Sequence, residues 1–532
     1  MKPVSKTVRW LIAVMVSILF VPQTRADEGS IIRRVLRRLR GERIVETPTD
    51  LRRPPQPNIG LRRPDADTPS ASLGATSCQL IPIRILDEDN STVAASATVS
   101  AIDSEPATDT DREVAEFVEI AVASHPALRQ AQASIEAALG RQWQTCLYPN
   151  PTIGYSSSEI GNDGRAGQQG FIMTQEIVRG QKRQLSYQVA ESERDLATMQ
   201  AEIQLWRIRN TVHQLYFEAL ASQEIERLMG ELESIAEKAE EIARQRERAG
   251  EGTLADVLQT QIELSQVRLQ ASNAAHTNRA VWKRLGAAIG RTELEPRILH
   301  GNLDFRPNER DELAALAQAI DQSPEMRLAE AGIRRAEAAA ARARAEPTGN
   351  LTVDATTQYD FATRSTIVGV GLGMPIPVYN RNQGNIAAAD ADVRRSRHEV
   401  DRVRLSIADR YATAYAQFRN ALDQVERYGT RLPTTQIEEI LAARGAERQQ
   451  SLDRNSQIVP RAQLALALAT EGWQRGEFNY LQVLTAQRSL TQVRLGSVRA
   501  LAELRQSVIA LDGYLLTDSQ GTTSPAPSAG AP

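Results

Sequence analysis

The chain has 532 residues, 41% hydrophobic, 24% charged and only 5% aromatic, with a formal net charge of −3. Near-neutrality gives no electrostatic basis for binding nucleic acid, and abundant Ala, Gln, Arg and Glu suit long helices packed through narrow seams rather than a thick aromatic core. Two cysteines, Cys78 and Cys146, are too few and too far apart for a disulfide framework or a metal-ligand spacing. They can pair with each other, but two unpaired small side chains is the plainer reading.

Residues 1–26 read as a secretory signal. Lys2, Lys6 and Arg9 precede the apolar run Trp10 to Val21, and Thr24-Arg25-Ala26 places small residues at the cleavage positions. The run is too short to span a membrane, and no later apolar run is long enough. Residues 27–110 carry no sustained periodicity. Arg33, Arg34, Arg37, Arg38, Arg40 and Arg43 interleave with apolar residues, then Pro48, Pro54, Pro55, Pro57 and Pro64 follow, as expected of a poorly ordered arm. Cys78 to Leu86 suits one short strand.

A helix is expected from about Arg112 to Cys146, interrupted at His125-Pro126 and restarted with Ser124 as its cap. Two strands follow, Pro151 to Ile160 and Gln169 to Val178, separated by the turn signal Gly161-Asn162-Asp163-Gly164. From Gln181 to about Arg248 the helical pattern is unbroken, which at about 1.5 Å per residue gives a rod on the order of 100 Å.

The same plan then repeats. His125-Pro126-Ala127-Leu128-Arg129 returns as Ser323-Pro324-Glu325-Met326-Arg327, and Pro149 as Pro347, at a spacing of 198. Gly250-Glu251, Val257-Leu258 and Gln266-Val267-Arg268-Leu269 return as Gly476-Glu477, Val483-Leu484 and Gln492-Val493-Arg494-Leu495 at 226. The period is far too long for a solenoid and marks a duplicated domain. The growth in spacing puts an insert near residues 433–459, where Leu432-Pro433 and Val459-Pro460 look like two sides of one joint.

In the second copy the strands are clearer. Leu351, Val353, Ala355, Thr357 and Tyr359 alternate with Thr352, Asp354, Thr356 and Gln358, and Val368, Val370, Leu372 and Met374 alternate with Ile367, Gly369, Gly371 and Gly373. All four strands approach the length of a transmembrane β-strand. Four cannot close a barrel, since about eight is the smallest number, so if these strands enter a membrane, two or more chains must contribute to one shared barrel. The expected domains are therefore a signal at 1–26, an arm at 27–110, repeats at 111–300 and 308–516, and a disordered tail at 517–532.

On three features the chain resembles the TolC-type outer-membrane efflux channels, and more loosely their heavy-metal branch typified by CzcC. These are the twofold repeat of helix, strand pair and helix, the segment Pro375 to Gly384, and the paired segments Gly250–Arg268 and Gly476–Arg494. The resemblance implies a mainly α fold with membrane β: a homotrimer whose twelve strands close a barrel in the bacterial outer membrane, continued through the periplasm by a long α-helical barrel. It implies a passive conduit that takes its energy from a periplasmic adaptor and an inner-membrane pump, most simply of the RND type. Metal cations, organic compounds or secreted proteins fit such a tunnel, so a type I secretion channel is an alternative. A soluble periplasmic coiled-coil scaffold is another.

Within that frame, Gly250, Glu251, Thr253 and Leu254, with Gly476, Glu477, Asn479 and Tyr480, form the tip turns expected to meet the adaptor. Pro375, Pro377, Arg381 and Gly384 make the transition from barrel to helix: the prolines end strand pairing and Gly384 eases the bend. The first copy has Glu176 to Gly180 there without prolines, so the two transitions should differ in shape. Relatives close the tip with acidic side chains, but the matching Gln482 and Thr485 are not acidic. Asp256, at the place matched by Gln482, could form a ring around a threefold axis or be a solvated helix-surface carboxylate. His125, His213, His276, His300 and His398 have no ligand partners at zinc-motif spacing, and Gly369, Gly371 and Gly373 lack the spacing of a nucleotide loop. No enzyme chemistry, cofactor or metal site is expected.

Overall fold

In chain order, α1 (Asp109–Ser124) and α2 (Pro126–Cys146) lead into β1 (Thr152–Ser158) and β2 (Gln168–Ile177), then α3 (Lys182–Arg248) and α4 (Leu254–Ile289). The second pass comprises α5 (Glu312–Gln322), α6 (Pro324–Ala345), β3 (Leu351–Asp360), β4 (Ser365–Gly373), α7 (Gln383–Tyr428), α8 (Thr434–Ala442), α9 (Ile458–Gln474) and α10 (Tyr480–Asp512). This computed structural model describes residues 109–161, 166–307, 311–442, 450, 455–475 and 480–516, all within the unit Cys78–Pro532. The expected signal, arm, Cys78–Leu86 strand and tail lie outside those residues. So do part of the first hairpin turn, part of the insert, and Gly476, Glu477 and Asn479.

The 67-residue α3 is the spine. It contains no proline and one glycine, Gly230, and pairs such as Arg244 with Glu240 at 2.5 Å support its solvent face. On either side of α3 pack α2 and α6 toward the sheet, and α4 and α10 toward the far end. Beyond them α7 packs against α6 and then α10. Both repeats therefore contribute to one layer of helices. The main core lies where α1, α3, α4 and the linker after α4 meet, around Phe117, Tyr216, Trp282, Leu285, Ile289 and Leu299. A second cluster joins α7 and α10 through Tyr411, Phe418, Leu504 and Leu511.

The break before α2 sits where the proline places it, but the cap differs from expectation. His125 is the N-cap, its Nδ1 accepting the Ala127 N–H at 3.2 Å, whereas the Ser124 hydroxyl bonds to the Ile120 and Ile289 carbonyls at 2.7 and 2.8 Å. Ser124 closes α1 and ties it to the end of α4. In the second copy Ser323 does cap α6.

At the insert, α7 stops at Tyr428 and Gly429 takes φ +70°. The Leu432 N–H donates to Gln463 Oε1 at 2.9 Å, and Leu432, Ile440 and Leu464 form a small core, so the chain leaves and rejoins the layer at neighbouring points. Cys146 is disulfide-bonded and no free cysteine is present among the described residues, which corrects the unpaired reading. Separation in sequence is no guide to separation in a fold that doubles back on itself.

Candidate functional site

The four strands form one antiparallel sheet in the order β1-β2-β3-β4, with β1 and β4 each open on one side among the described residues. Register assigns every residue to a face. Ile153 pairs with Met173, Tyr155 with Phe171, Ile177 with Leu351, Ala355 with Val370 and Val353 with Leu372. This face is apolar yet open, with Ile153 72% and Leu372 71% exposed. A soluble protein rarely leaves so continuous an apolar sheet face uncovered, whereas the outer face of a membrane strand is built this way.

The opposite face carries Thr152, Gly154, Ser156, Thr174, Thr356, Gln358, Gly369 and Gly371, together with all three ionisable residues of the four strands that carry charge at neutral pH, Glu176, Asp354 and Asp360. None of the strands contains Lys, Arg or His. Asp354 lies mid-strand, its Oδ1 accepting the Thr174 hydroxyl at 2.6 Å, beside Gly371, which has no side chain to cover it. Glu176 accepts from Asn350 at 2.7 Å, and Asp360 accepts from the Ala362 N–H and the Thr363 hydroxyl at the hairpin turn. The polar face of β3 is evident from its alternation. That Glu176 of the first repeat falls on the same face depends on the β2–β3 register, which only the fold supplies.

Both strand-to-helix transitions enter their helix through a left-handed residue: Gln181 at φ 57° and Asn382 at φ 61°. Pro375 and Pro377 follow the last paired residue, Gly373. Gly384 does not make the bend. It lies inside α7 with open space where a Cβ would be, and the turn is made two residues earlier by Asn382, whose amide reaches the Ala343 carbonyl at 2.8 Å. Asparagine tolerates this conformation because its short polar side chain bonds locally. The Arg381 N–H donates to Gln383 Oε1 at 2.8 Å. The transitions share this entry and differ before it: a short link with Gly180 at φ +69° in the first copy, a longer proline-bearing one in the second.

At the other end of α3, Gly250 takes φ +77°, and the Glu251 and Gly252 N–H groups both return to the Arg246 carbonyl at 2.9 and 3.1 Å. Thr253 and Asp256 form a capping box. The Thr253 N–H and hydroxyl donate to Asp256 Oδ2 at 3.0 and 2.8 Å, and the Asp256 N–H donates back to the Thr253 hydroxyl at 3.2 Å. These bonds from the Thr253 side chain and backbone hold the Asp256 carboxyl below its usual range. Its oxygen is thus committed to its own helix end. Leu254 is exposed beside it, Tyr480 opens α10, and Gln482 and Thr485 are both exposed. The structure brings the first-copy tip residues together, about 100 Å along α3 from the sheet.

An open cleft of about 1040 Å³ is lined by α6, α7, Arg207 of α3 and the end of α10. Arg410 pairs with Glu325 across it and Arg402 with Glu399 along α7, so much of its charge is already paired.

The outer membrane efflux protein family model matches residues 117–291 and 315–448, more than half of the chain. The chain belongs to the outer membrane efflux protein family. Among curated relatives, the cobalt-zinc-cadmium resistance protein CzcC of Cupriavidus metallidurans is 25% identical over 396 residues, covering 74% of this chain and 88% of CzcC. Protein CyaE of Bordetella pertussis is 27% identical over 331 residues, covering 58% and 70%. Among solved structures, CusC aligns with a TM-score of 0.59 at 16% identity over 76% of this chain and 92% of its own. VceC of Vibrio cholerae aligns at 0.54 and 16% over 76% and 96%. These last two establish a shared fold: a four-stranded sheet at one end of an α-helical layer built from two repeats. As an efflux family member the chain is a channel protein, and among its described residues no helix is long and apolar enough to cross a membrane.

Proposed function

We propose that three copies form one outer-membrane channel, their twelve strands closing a barrel and their helices a periplasmic tunnel, through which substrate passes without covalent chemistry. The observation that carries this is a four-stranded sheet with an apolar exposed face and two open edges, in a chain of an efflux family. Unpaired edges are intolerable in lipid, so each β4 must meet the β1 of another copy. Divalent heavy-metal cations are the proposed cargo. Support comes from the likeness to CzcC along 88% of that protein and from a polar sheet face bearing carboxylates and no basic residue. The tip turn Gly250 to Leu254 and its counterpart Gly476 to Tyr480 would receive a periplasmic adaptor, linked to an RND-type inner-membrane pump.

The test is the native mass of protein extracted in detergent from isolated outer membranes, with metal tolerance of cells lacking the gene and of the complemented strain. A trimer and restored tolerance to cobalt, zinc or cadmium are expected. A water-soluble monomer would overturn the channel, and a trimer that leaves metal tolerance unchanged would overturn the cargo.

A further inference from the structure

The link from β4 to α7 is held in one shape yet left uncovered by the described residues of its own chain. Its base is wedged against Gly349, where an added Cβ would lie 2.5 Å from the Pro375 carbonyl and 3.1 Å from the Met374 side chain. The Val378 N–H donates to the Ile376 carbonyl at 2.9 Å, the Asn382 N–H to Asn380 Oδ1 at 2.9 Å, and the Gln383 amide to the Tyr379 carbonyl at 3.2 Å. Despite this order, Ile376 is 77%, Val378 58% and Tyr379 91% exposed. A fixed, protruding apolar segment is built to be covered.

The duplication says by what. Inside the chain, the link after β2 lies on the segment before β3: Gly180 stands against Thr348, the Arg179 N–H donates to Asn350 Oδ1 at 3.3 Å, and Asn350 donates to Glu176. The link after β4 is the second-copy counterpart of the link after β2. The segment before β1 is the first-copy counterpart of the segment before β3, as the Pro149 and Pro347 match records. Because β1 to β4 alternate in direction, pairing the open edge of β4 with the open edge of β1 in another copy sets the residues after Gly373 beside those before Thr152. That stretch is itself apolar and exposed: Trp143 and Leu147 at the end of α2, and Tyr148, one face of which is covered by Arg183.

We propose that Ile376, Val378 and Tyr379 of one copy dock on Trp143, Leu147 and Tyr148 of the next, an apolar joint between copies equivalent to the polar joint within the chain. The proposal rests on the channel reading above and adds the residues that hold the copies together just outside the barrel. The joint seals the outer end of the helical layer where strand pairing stops.

A benzophenone amino acid in place of Tyr379, in the full-length protein in outer membranes, tests it. Irradiation should give covalently linked chains, with the probe attached within residues 143–151 of another copy. A trimer by native mass in which the probe attaches to lipid, or to the same chain including its N-terminal residues, overturns the joint and leaves the channel standing. A protein that is not trimeric overturns the channel and the joint with it. Independently, Tyr379→Ser combined with Ile376→Ser should speed trimer dissociation in detergent by on the order of ten-fold, while Asn350→Ala, at the internal joint, should not. Equal dissociation rates for wild type and the double variant also overturn the joint.

Discussion

His213 sits in an environment that moves it far from its solution chemistry. Burial on α3, with Arg209 adding to it and Asp111 opposing, lowers its pKa to about 4, so it stays neutral in the folded protein while the unfolded chain protonates near 6.5. Between those values the unfolded state binds more protons, so stability falls as pH drops from about 6.5 to about 4, by on the order of 3 kcal/mol over the full window. Thermal unfolding between pH 7.5 and 4.5 should show a loss that His213→Gln largely removes; an identical loss in the variant would assign the pH dependence elsewhere. Nearby, the Tyr216 hydroxyl, pushed up by burial and its bond to Glu113, donates to Glu113 Oε2 at 2.8 Å; the same oxygen also accepts the His300 N–H at 3.1 Å. Tyr216→Phe leaves that carboxylate with the backbone N–H of His300 and the Arg297 ion pair at 3.8 Å. The expected cost is about 1 kcal/mol, read as a lower midpoint of thermal unfolding; an unchanged midpoint would show that water replaces the hydroxyl.

At the scale of elements, strands and long helices are legible because their signals are periodic. β3 and β4 fall within a residue of the bounds that alternation sets, as in Leu351, Val353 and Ala355 with their polar neighbours, and α3 ends at Arg248 as its unbroken pattern requires. The joints are less legible because they depend on contacts between segments distant in sequence. Ser124 has the chemistry of a cap, but the Ile289 carbonyl claims its hydroxyl; Gly384 has the flexibility for a bend, but the Ala343 carbonyl fixes that bend at Asn382. Gln181 carries no signal at all, since glutamine has no preference for the left-handed region and makes no side-chain cap bond there. Gln181→Gly should therefore relieve strain and raise stability by about 0.5–1 kcal/mol. Asn382→Gly should gain nothing, because relief is offset by the lost bond to Ala343. Matching melts of both variants would contradict this distinction.

At the scale of the assembled molecule, the question is what a closed barrel would present to a passing ion. In such a barrel the apolar face would meet lipid, and the face bearing Glu176, Asp354 and Asp360 would line the conduit. Glu176 and Asp360 are engaged at the two ends of the strands, while Asp354 stands mid-strand with the Thr174 hydroxyl on one side and Gly371 on the other. Three copies would set three such carboxylates at one depth, with no base in any strand to neutralise them. Such a ring raises the local cation concentration without binding any one ion tightly, which suits a conduit that must also release its cargo. In planar bilayers, Asp354→Asn should lower the cation-to-anion permeability ratio severalfold at about 0.1 M salt, and the difference should shrink toward 1 M as the Debye length falls from about 10 Å to about 3 Å. A ratio unchanged at low salt would place the selecting charges in the helical tunnel rather than the barrel.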